Sequence, residues 1–116
     1  MKAFLDRSFY VTGGNQGMLR HKVGAAIVTL RRAGGVSVFH QLNNYIAYSE
    51  MVIPTSNNWN IIYGFRPGEV LKDEEGTQTM KILGENMAWL MKLVQNGKEN
   101  VKNPESQRKL YMNFIR

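Results

Sequence analysis

An uncharged run of small and β-branched residues, followed at once by a glycine loop, is the sequence feature that most constrains how this chain can fold. The run covers residues 23–30. Strands that helices cover on both faces have such a continuous apolar pattern, because neither face meets water. The sequence therefore predicts a central strand of a parallel sheet over residues 22–30. The loop that follows the strand consists of Arg31, Arg32, Ala33, Gly34 and Gly35.

Helical periodicity begins directly after the glycine loop. Apolar residues recur every three to four positions from Val36 onwards, which predicts a helix over residues 35–51. Residues 52–63 then join an apolar start to a polar and aromatic stretch, and we assign them to a second strand with its loop. A strand, a helix and a strand in this order form a right-handed crossover, so two adjacent parallel strands are expected.

Further elements are predicted near both ends of the chain. Residues 1–10 have apolar positions at helical spacing but no capping side chain before them, which leads us to expect truncation from a longer domain. Residues 73–96 form the longest predicted helix, with an acidic first turn and two apolar sides. The apolar tail in residues 104–116 is expected to dock on the fold. At 116 residues, the chain is predicted to be one α/β domain.

The glycine loop is a candidate ligand site because of its place in the predicted fold. In open α/β sheets, ligands bind outside the carboxyl ends of the strands, which is where this loop would lie. Glycines let a ligand approach the backbone closely, and the start of the next helix favours negative charge. A tight turn between Leu30 and Val36 with two solvated arginines explains the same residues, and the sequence leaves both interpretations open.

Three aromatic residues in the second strand and its loop form another candidate site. Trp59, Tyr63 and Phe65 alternate with polar residues over a stretch of unusual length for a compact domain. They could stack on a flat ring, form an interface with a second subunit, or cover the local core. The sequence does not decide between these roles.

The net charge of +6 raises the question of nucleic-acid binding. Lysine and arginine are scattered along the chain, and the adjacent basic pairs are Arg31-Arg32 and Arg108-Lys109. A solvated basic surface explains this distribution, and it would also attract small anionic ligands. Nucleic-acid binding requires positive charge that is clustered on one face, and it gives an affinity that depends steeply on salt. Because the charge here is scattered, we expect no nucleic-acid partner.

The composition also limits the compartment and the redox chemistry. The sequence contains no cysteine, which excludes disulfides, thiolate chemistry and cysteine-bound iron–sulfur clusters from this chain. It has no run of the roughly 20 apolar residues that a membrane span needs, and no long apolar stretch at its start. We therefore expect a cytoplasmic protein that does not associate with membranes.

No catalytic or metal-binding motif is readable in the sequence. His21 and His40 are the only histidines, and neither has neighbours at metal-ligand spacing. The acidic residues 73–75 are explained by helix capping, so we assign them no acid/base role. The glycine patterns of dinucleotide-binding and phosphate-binding loops are both absent. We predict no catalytic residue and no metal site in this chain.

Several segments, taken together, carry a family resemblance. They are Lys2-Ala3-Phe4-Leu5-Asp6-Arg7, Gly24-Ala25-Ala26 with the loop 31–35, Gln41-Leu42-Asn43-Asn44-Tyr45, Pro67-Gly68-Glu69-Val70 and the closing Asn113-Phe114-Ile115-Arg116. The chain resembles the C-terminal half of flavodoxin-fold, FMN-dependent NAD(P)H oxidoreductases, in the branch of NADPH-dependent FMN reductases and iron-sulfur flavoproteins. The resemblance implies a partial doubly wound parallel sheet, ordered helix, strand, helix, strand, helix.

The resemblance also implies a cofactor and the residues that contact it. FMN would accept hydride from NAD(P)H and pass electrons to a quinone, a flavin or an iron-sulfur acceptor. Trp59 would lie near a dimer-related active site. The residues implied to border the pyrimidine side of the flavin are Thr29, Leu30, Arg31, Arg32, Ala33, Gly34 and Gly35.

Two family loops are missing from this sequence. One is the Ser-Pro-Arg-type loop that holds the FMN phosphate, and the other is the Pro-Val-Tyr-type loop that lies against the flavin ring. The chain alone is therefore expected to bind FMN weakly or not at all, and to form a homo-oligomer or pair with a companion chain that carries the first half. The alternative is a non-catalytic assembly or binding module that retains the half-fold.

Overall fold

A computed structural model describes residues 1–15, 17–108 and 110–112 of the chain, so the closing segment 113–116 lies outside the described residues. The described residues contain three α-helices, two strands and a short 3-10 helix. In chain order they are α1 (Lys2–Gly14), β1 (Val28–Leu30), α2 (Gly35–Tyr48), β2 (Ile61–Tyr63), the 3-10 helix (Glu69–Lys72) and α3 (Glu74–Gly97). The predicted α/β class is confirmed, and the arrangement is consistent with part of a flavodoxin-like fold.

The two strands pair in parallel, as the strand-helix-strand order predicts. In this register Val28 lies beside Ile61, Thr29 beside Ile62 and Leu30 beside Tyr63. An isolated parallel bridge joins Val23 to Val52, nearer the amino ends of both segments. The sheet is thus a short two-stranded ladder with one bridge before it.

The predicted strand over residues 22–30 is shorter than expected, because regular pairing is confined to β1. Between the bridge and β1 the regular ladder is interrupted, since residues 53–60 form an irregular loop. Within this gap, the side-chain amide Nδ2 of Asn60 donates to the carbonyl of Ala26 at 3.0 Å. A side chain therefore replaces a backbone partner there.

Helices α2 and α3 pack on opposite faces of the sheet. A Cβ placed on Gly35 at the start of α2 would lie 2.9 Å from the side chain of Leu30, and one placed on Gly76 of α3 would lie 2.7 Å from that of Ile62. Ile61 and Ile62 of β2 are consequently both buried.

The strand β1 has one covered face and one open face. Val28 is buried against α2, whereas Ile27 on the other side is 51% exposed and Thr29 is also exposed. This corrects the expectation that helices cover the strand on both faces. The reason is that α3 packs chiefly over β2.

The observed helix boundaries differ from the predicted ones at several ends. The helix predicted over residues 1–10 continues to Gly14, where the Thr12 hydroxyl donates back to the carbonyl of Phe9 at 3.2 Å. The helix predicted over residues 35–51 ends at Tyr48, shortly before Glu50 adopts a left-handed φ of 55°. The helix predicted over residues 73–96 covers Glu74–Gly97, with Asp73 as its N-cap.

Helix α3 buries one of its two apolar sides within this chain. Its buried positions are Gly76, Thr79 and Leu83. Trp89, Met91 and Leu93, further along the helix, are each about half exposed or more. None of the helices in the described part of the chain is long and apolar enough to span a bilayer.

Candidate functional site

The carboxyl ends of β1 and β2 lie side by side and form a rim, which we define as residues 29–35 together with 63–66. The backbone N–H of Gly64 donates to the carbonyl of Leu30 at 3.0 Å, so the loops that leave the two strands start from neighbouring positions. The guanidinium carbon of Arg31 lies 4.2 Å from the ring centroid of Phe65. The rim thus brings a cation from one loop against an aromatic ring from the other.

Gly34 and Gly35 perform different structural roles at the start of α2. Gly34 is the N-cap, with a left-handed φ of 87° and open space where a side chain would be. Gly35 is buried, and the side chains of Leu30 and Ile61 occupy the space that its Cβ would need. The first N–H groups of a helix have no partner within that helix, and the N-cap residue here, Gly34, has no side chain to accept from them. These donors and the positive end of the helix dipole therefore lie at the rim.

The loop after β2 is held in place by a single carboxylate. Glu69 Oε2 accepts hydrogen bonds from the backbone N–H of Phe65 at 3.0 Å and of Arg66 at 2.8 Å. Gly64 lies so close to Val70 that a Cβ there would meet its backbone nitrogen at 2.8 Å. The backbone that carries the Phe65 ring is consequently fixed from two sides.

A second carboxylate, that of Asp73, joins β2 to the start of α3. It accepts from the N–H of Gly76 at 2.9 Å and from the N–H of Tyr63 at 2.8 Å. These two bonds, the one from Gly76 foremost, hold the pKa of the Asp73 carboxyl below its usual value. The same side chain thus caps a helix and satisfies a donor on the outer edge of the sheet.

The rim carries three exposed arginine side chains, beside the carboxylates of Glu69 and Asp73. Arg31, Arg32 and Arg66 are all exposed, and neither ion pair of the described residues involves them. Those two ion pairs are Lys2–Asp6 and Arg20–Glu50, elsewhere on the surface. Within the described residues there is no group of three or more histidine, aspartate or glutamate side chains that could hold a metal ion.

The residues that the sequence singled out divide between two places. The rim contains Tyr63, Phe65 and the implied flavin contacts, among which Leu30 is half-buried, Gly35 is buried and the others are exposed. Those contacts are Thr29, Leu30, Arg31, Arg32, Ala33, Gly34 and Gly35. Trp59 precedes β2 and lies at the opposite end of that strand, where it lines a separate groove of about 450 Å³ with Phe39, Asn43 and Pro54.

Sequence reasoning missed the two carboxylates that shape the rim. The sequence indicates Asp73 only as part of an acidic helix start, and it does not indicate the bond to Tyr63. Glu69 follows a Pro-Gly turn, which indicates a bend at residues 67–68 but not which donors the carboxylate would accept from. The sequence signals a helix start at Asp73 and a turn before Glu69, but it does not indicate which backbone N–H groups the two carboxylates bind.

The chain is similar to an iron-sulfur flavoprotein of Methanocaldococcus jannaschii. The two sequences are 29% identical over 102 residues, which cover 82% of this chain and 52% of that flavoprotein. The chain therefore spans about half the length of the curated relative that it matches. No protein-family model matches the chain. No solved structure matches it either. The similarity supports the predicted resemblance to flavoproteins.

Proposed function

We propose that this chain is part of an FMN-dependent NAD(P)H oxidoreductase in which the rim holds one edge of the flavin. The observation that carries the proposal is the arginine–glycine rim at the carboxyl ends of two parallel strands, in a chain that is similar to a flavoprotein. When bound, the flavin would take hydride from NAD(P)H and pass electrons to a quinone, a flavin or an iron-sulfur acceptor.

The donors at the rim fit the carbonyl-rich edge of a flavin ring. The N–H groups of the first turn of α2 would donate to the ring oxygens and nitrogens, and the open space beside Gly34 would let the ring approach. Arg31 would keep positive charge beside the same edge and stabilise negative charge there. The role of this chain is to bind and orient the ring, with no nucleophile of its own.

Trp59 has a different role in this proposal. Its side chain is more than half exposed and lies away from the rim of its own chain. Its exposure supports the proposal that it contacts a second subunit rather than the flavin edge of its own chain, which is the position near a dimer-related site that the resemblance implies.

The proposal is tested by titrating the purified chain into FMN and following flavin fluorescence. We expect little or no binding by the chain alone, because the rim supplies donors for the ring edge and not for the whole cofactor. Saturable binding is expected once the chain is co-expressed with the unmatched half of the archaeal flavoprotein. In that complex, Arg31→Ala should weaken FMN binding about tenfold, the equivalent of one charged hydrogen bond.

The matched control is Lys81→Ala on α3, which removes one exposed positive charge away from the rim. Equal effects of the two substitutions would mean that only net charge matters and would refute a specific role of Arg31. A complex that takes up no FMN at all would refute the flavin proposal itself.

A second candidate function is a non-catalytic assembly module. The observation that favours it is the apolar surface that the fold leaves open, including Trp89, Met91 and Leu93 on α3. A defined oligomer in gel filtration, with no flavin uptake in any combination, would support this function over the oxidoreductase.

A further inference from the structure

A groove of about 450 Å³ lies between helix α2 and the loop that precedes β2. Phe39 and Asn43 of α2 line it on one side, and residues 53–60 form the remainder of its lining. None of these lining residues carries a charge, although the whole chain has a net charge of +6. A groove of this size accommodates a small organic molecule. A charged ligand would lose its hydration here without gaining a partner of opposite charge, so the groove favours a neutral one.

The loop side of the groove is held in shape by hydrogen bonds to α3. Near the start of the loop, the Asn86 side chain donates to the carbonyl of Thr55 at 2.7 Å. Near its end, the side-chain amide of Asn58 donates to the Glu75 carboxylate at 2.9 Å, and Asn58 Oδ1 accepts from the N–H of Trp59 at 2.7 Å. The loop is therefore fixed before a ligand binds, which lowers the entropy cost of binding.

The side-chain oxygen of Asn43 is a buried acceptor at the groove. No described residue donates a hydrogen bond to it. The buried amide of Asn60, by contrast, donates to the carbonyl of Ala26 at 3.0 Å and accepts from the Ser56 hydroxyl at 2.7 Å. Buried acceptors nearly always have a donor, because an unpaired one has lost its hydrogen bonds with water. The terminal torsion of asparagine is soft, so the Asn43 oxygen can turn toward a donor in the groove.

Two aromatic side chains line the same groove from different elements. Phe39 lies on α2 one helical turn before Asn43, and Trp59, which is 56% exposed, lies on the loop. Aromatic rings offer a large apolar contact area and pack well against other flat rings. A sugar would need more hydrogen-bonding side chains than the groove offers, since those of Asn58 and Asn60 are already bonded within the chain. The lining therefore favours an aromatic ligand.

We propose that this groove binds a small, uncharged aromatic molecule that carries a hydroxyl or amide donor. The ring of the ligand contacts Phe39 and Trp59, and its donor is accepted by Asn43 Oδ1. The site is separate from the rim, because the groove precedes β2 whereas the rim lies at the carboxyl ends of both strands. The inference consequently does not depend on the flavin proposal.

The test is a titration of the full chain with phenol, followed through its backbone amide NMR signals. Anisole, which has a methyl ether in place of the hydroxyl, is the matched ligand without a donor. We expect phenol to shift the signals of residues 53–60 and of Asn43 saturably, and anisole to bind about fivefold more weakly, as the loss of one hydrogen bond predicts. Benzoate, an anionic ring, should leave these signals unchanged despite the net charge of +6.

Two variants of α2 identify the acceptor. Asn43→Leu removes the amide and keeps a branched side chain, so phenol and anisole should bind to this variant equally well. The variant should fold, because it removes a buried acceptor that has no partner in the chain. Asn44→Leu is the matched control, since Asn44 is exposed and does not line the groove. It should retain the fivefold preference for phenol.

Several results would overturn the inference. They are equal binding of phenol and anisole by the wild type, a preference for phenol that persists in Asn43→Leu, and shifts spread over the whole surface. Benzoate binding as tight as that of phenol would also overturn it, because net charge would then explain the affinity. So would self-association that Trp59→Ala abolishes in a chain that binds no phenol, since a second copy would then cover the groove.

Discussion

The guanidinium of Arg31 lies over the ring of Phe65, with 4.2 Å between the guanidinium carbon and the ring centroid. These residues belong to loops that follow two different strands, and their contact holds the two loops together at the rim. Glu69 fixes the backbone at Phe65, so the ring provides a defined platform for the cation. The arginine that we propose to face a flavin edge is therefore oriented by a neighbouring loop.

The contact between Arg31 and Phe65 should be measurable in a double-mutant cycle. An exposed cation–π pair contributes about 0.5–1 kcal/mol, so the free energies of unfolding of Arg31→Ala, Phe65→Ala and the double variant should show an interaction of that size. Urea unfolding measures each value. The same cycle with Arg32→Ala in place of Arg31→Ala should give no interaction energy. Equal interaction energies in both cycles would contradict a specific contact.

The layout of the rim could be predicted from the sequence to a useful extent. An apolar strand that ends in Arg31-Arg32 and a glycine pair placed these residues at the carboxyl edge. Because the two strands are parallel and adjacent, the loop after β2 could be expected at the same edge. The contact between Arg31 and Phe65 could not be predicted, because it depends on the conformation of the second loop. Hydrogen bonds from the loop backbone to the Glu69 carboxylate determine that conformation, and the sequence does not indicate them.

The extent of the sheet could not be predicted from its apolar pattern. Residues 23–30 indicated a strand buried on both faces, yet the structure leaves Ile27 half exposed. The polar residues around Asn60 indicated only a loop. In the structure its buried side-chain amide donates to the carbonyl of Ala26, in the place of a backbone N–H from the second segment. A continuous apolar run indicates that both faces of a strand need to be covered. It does not indicate whether residues of this chain provide that cover.

Asp73 should make stability depend on pH in the acidic range. Its pKa in the folded chain is lowered, so its contribution is fully present above the unfolded value of about 3.9 and is lost as the pH falls through the folded pKa. Asp73→Asn keeps one acceptor oxygen but cannot serve the N–H groups of both Gly76 and Tyr63 equally well. We expect it to cost about 1 kcal/mol at pH 7.

The comparison of wild type with Asp73→Asn is made by urea unfolding at several pH values from 7 down to 3. The difference between the two should shrink as the pH falls below about 4, because the carboxylate of the unfolded chain takes up a proton at a higher pH than that of the folded chain. Glu74→Gln is the control, since it removes a neighbouring carboxylate that accepts none of these hydrogen bonds. A difference that stays constant with pH would rule out the charged form of Asp73 as the source of the stabilisation.

Asn60 should be the most sensitive polar residue of the sheet. It is buried, it donates to Ala26 O at 3.0 Å, and its Oδ1 accepts from the Ser56 hydroxyl at 2.7 Å. Asn60→Ala leaves a buried carbonyl without a donor, so we expect a loss of roughly 1–3 kcal/mol in unfolding free energy. The exposed neighbour Asn57, changed to alanine, should lose less than about 0.5 kcal/mol. Equal losses at both positions would show that the Asn60 bonds contribute nothing specific.

Two glycines of α3 should respond to the same substitution in opposite directions. A Cβ on Gly76 would lie 2.5 Å from Asp73 Oδ2 and 2.7 Å from Ile62 Cγ1, so Gly76→Ala must push the helix from the sheet or disturb its cap. We expect it to cost roughly 1–3 kcal/mol. Gly84 has open space around its Cα, and Gly84→Ala should stabilise by about 0.5–1 kcal/mol through helix propensity alone. Chemical denaturation of both variants measures their free energies of unfolding. An unchanged free energy for Gly76→Ala would mean that α3 lies farther from Ile62 than in the structure.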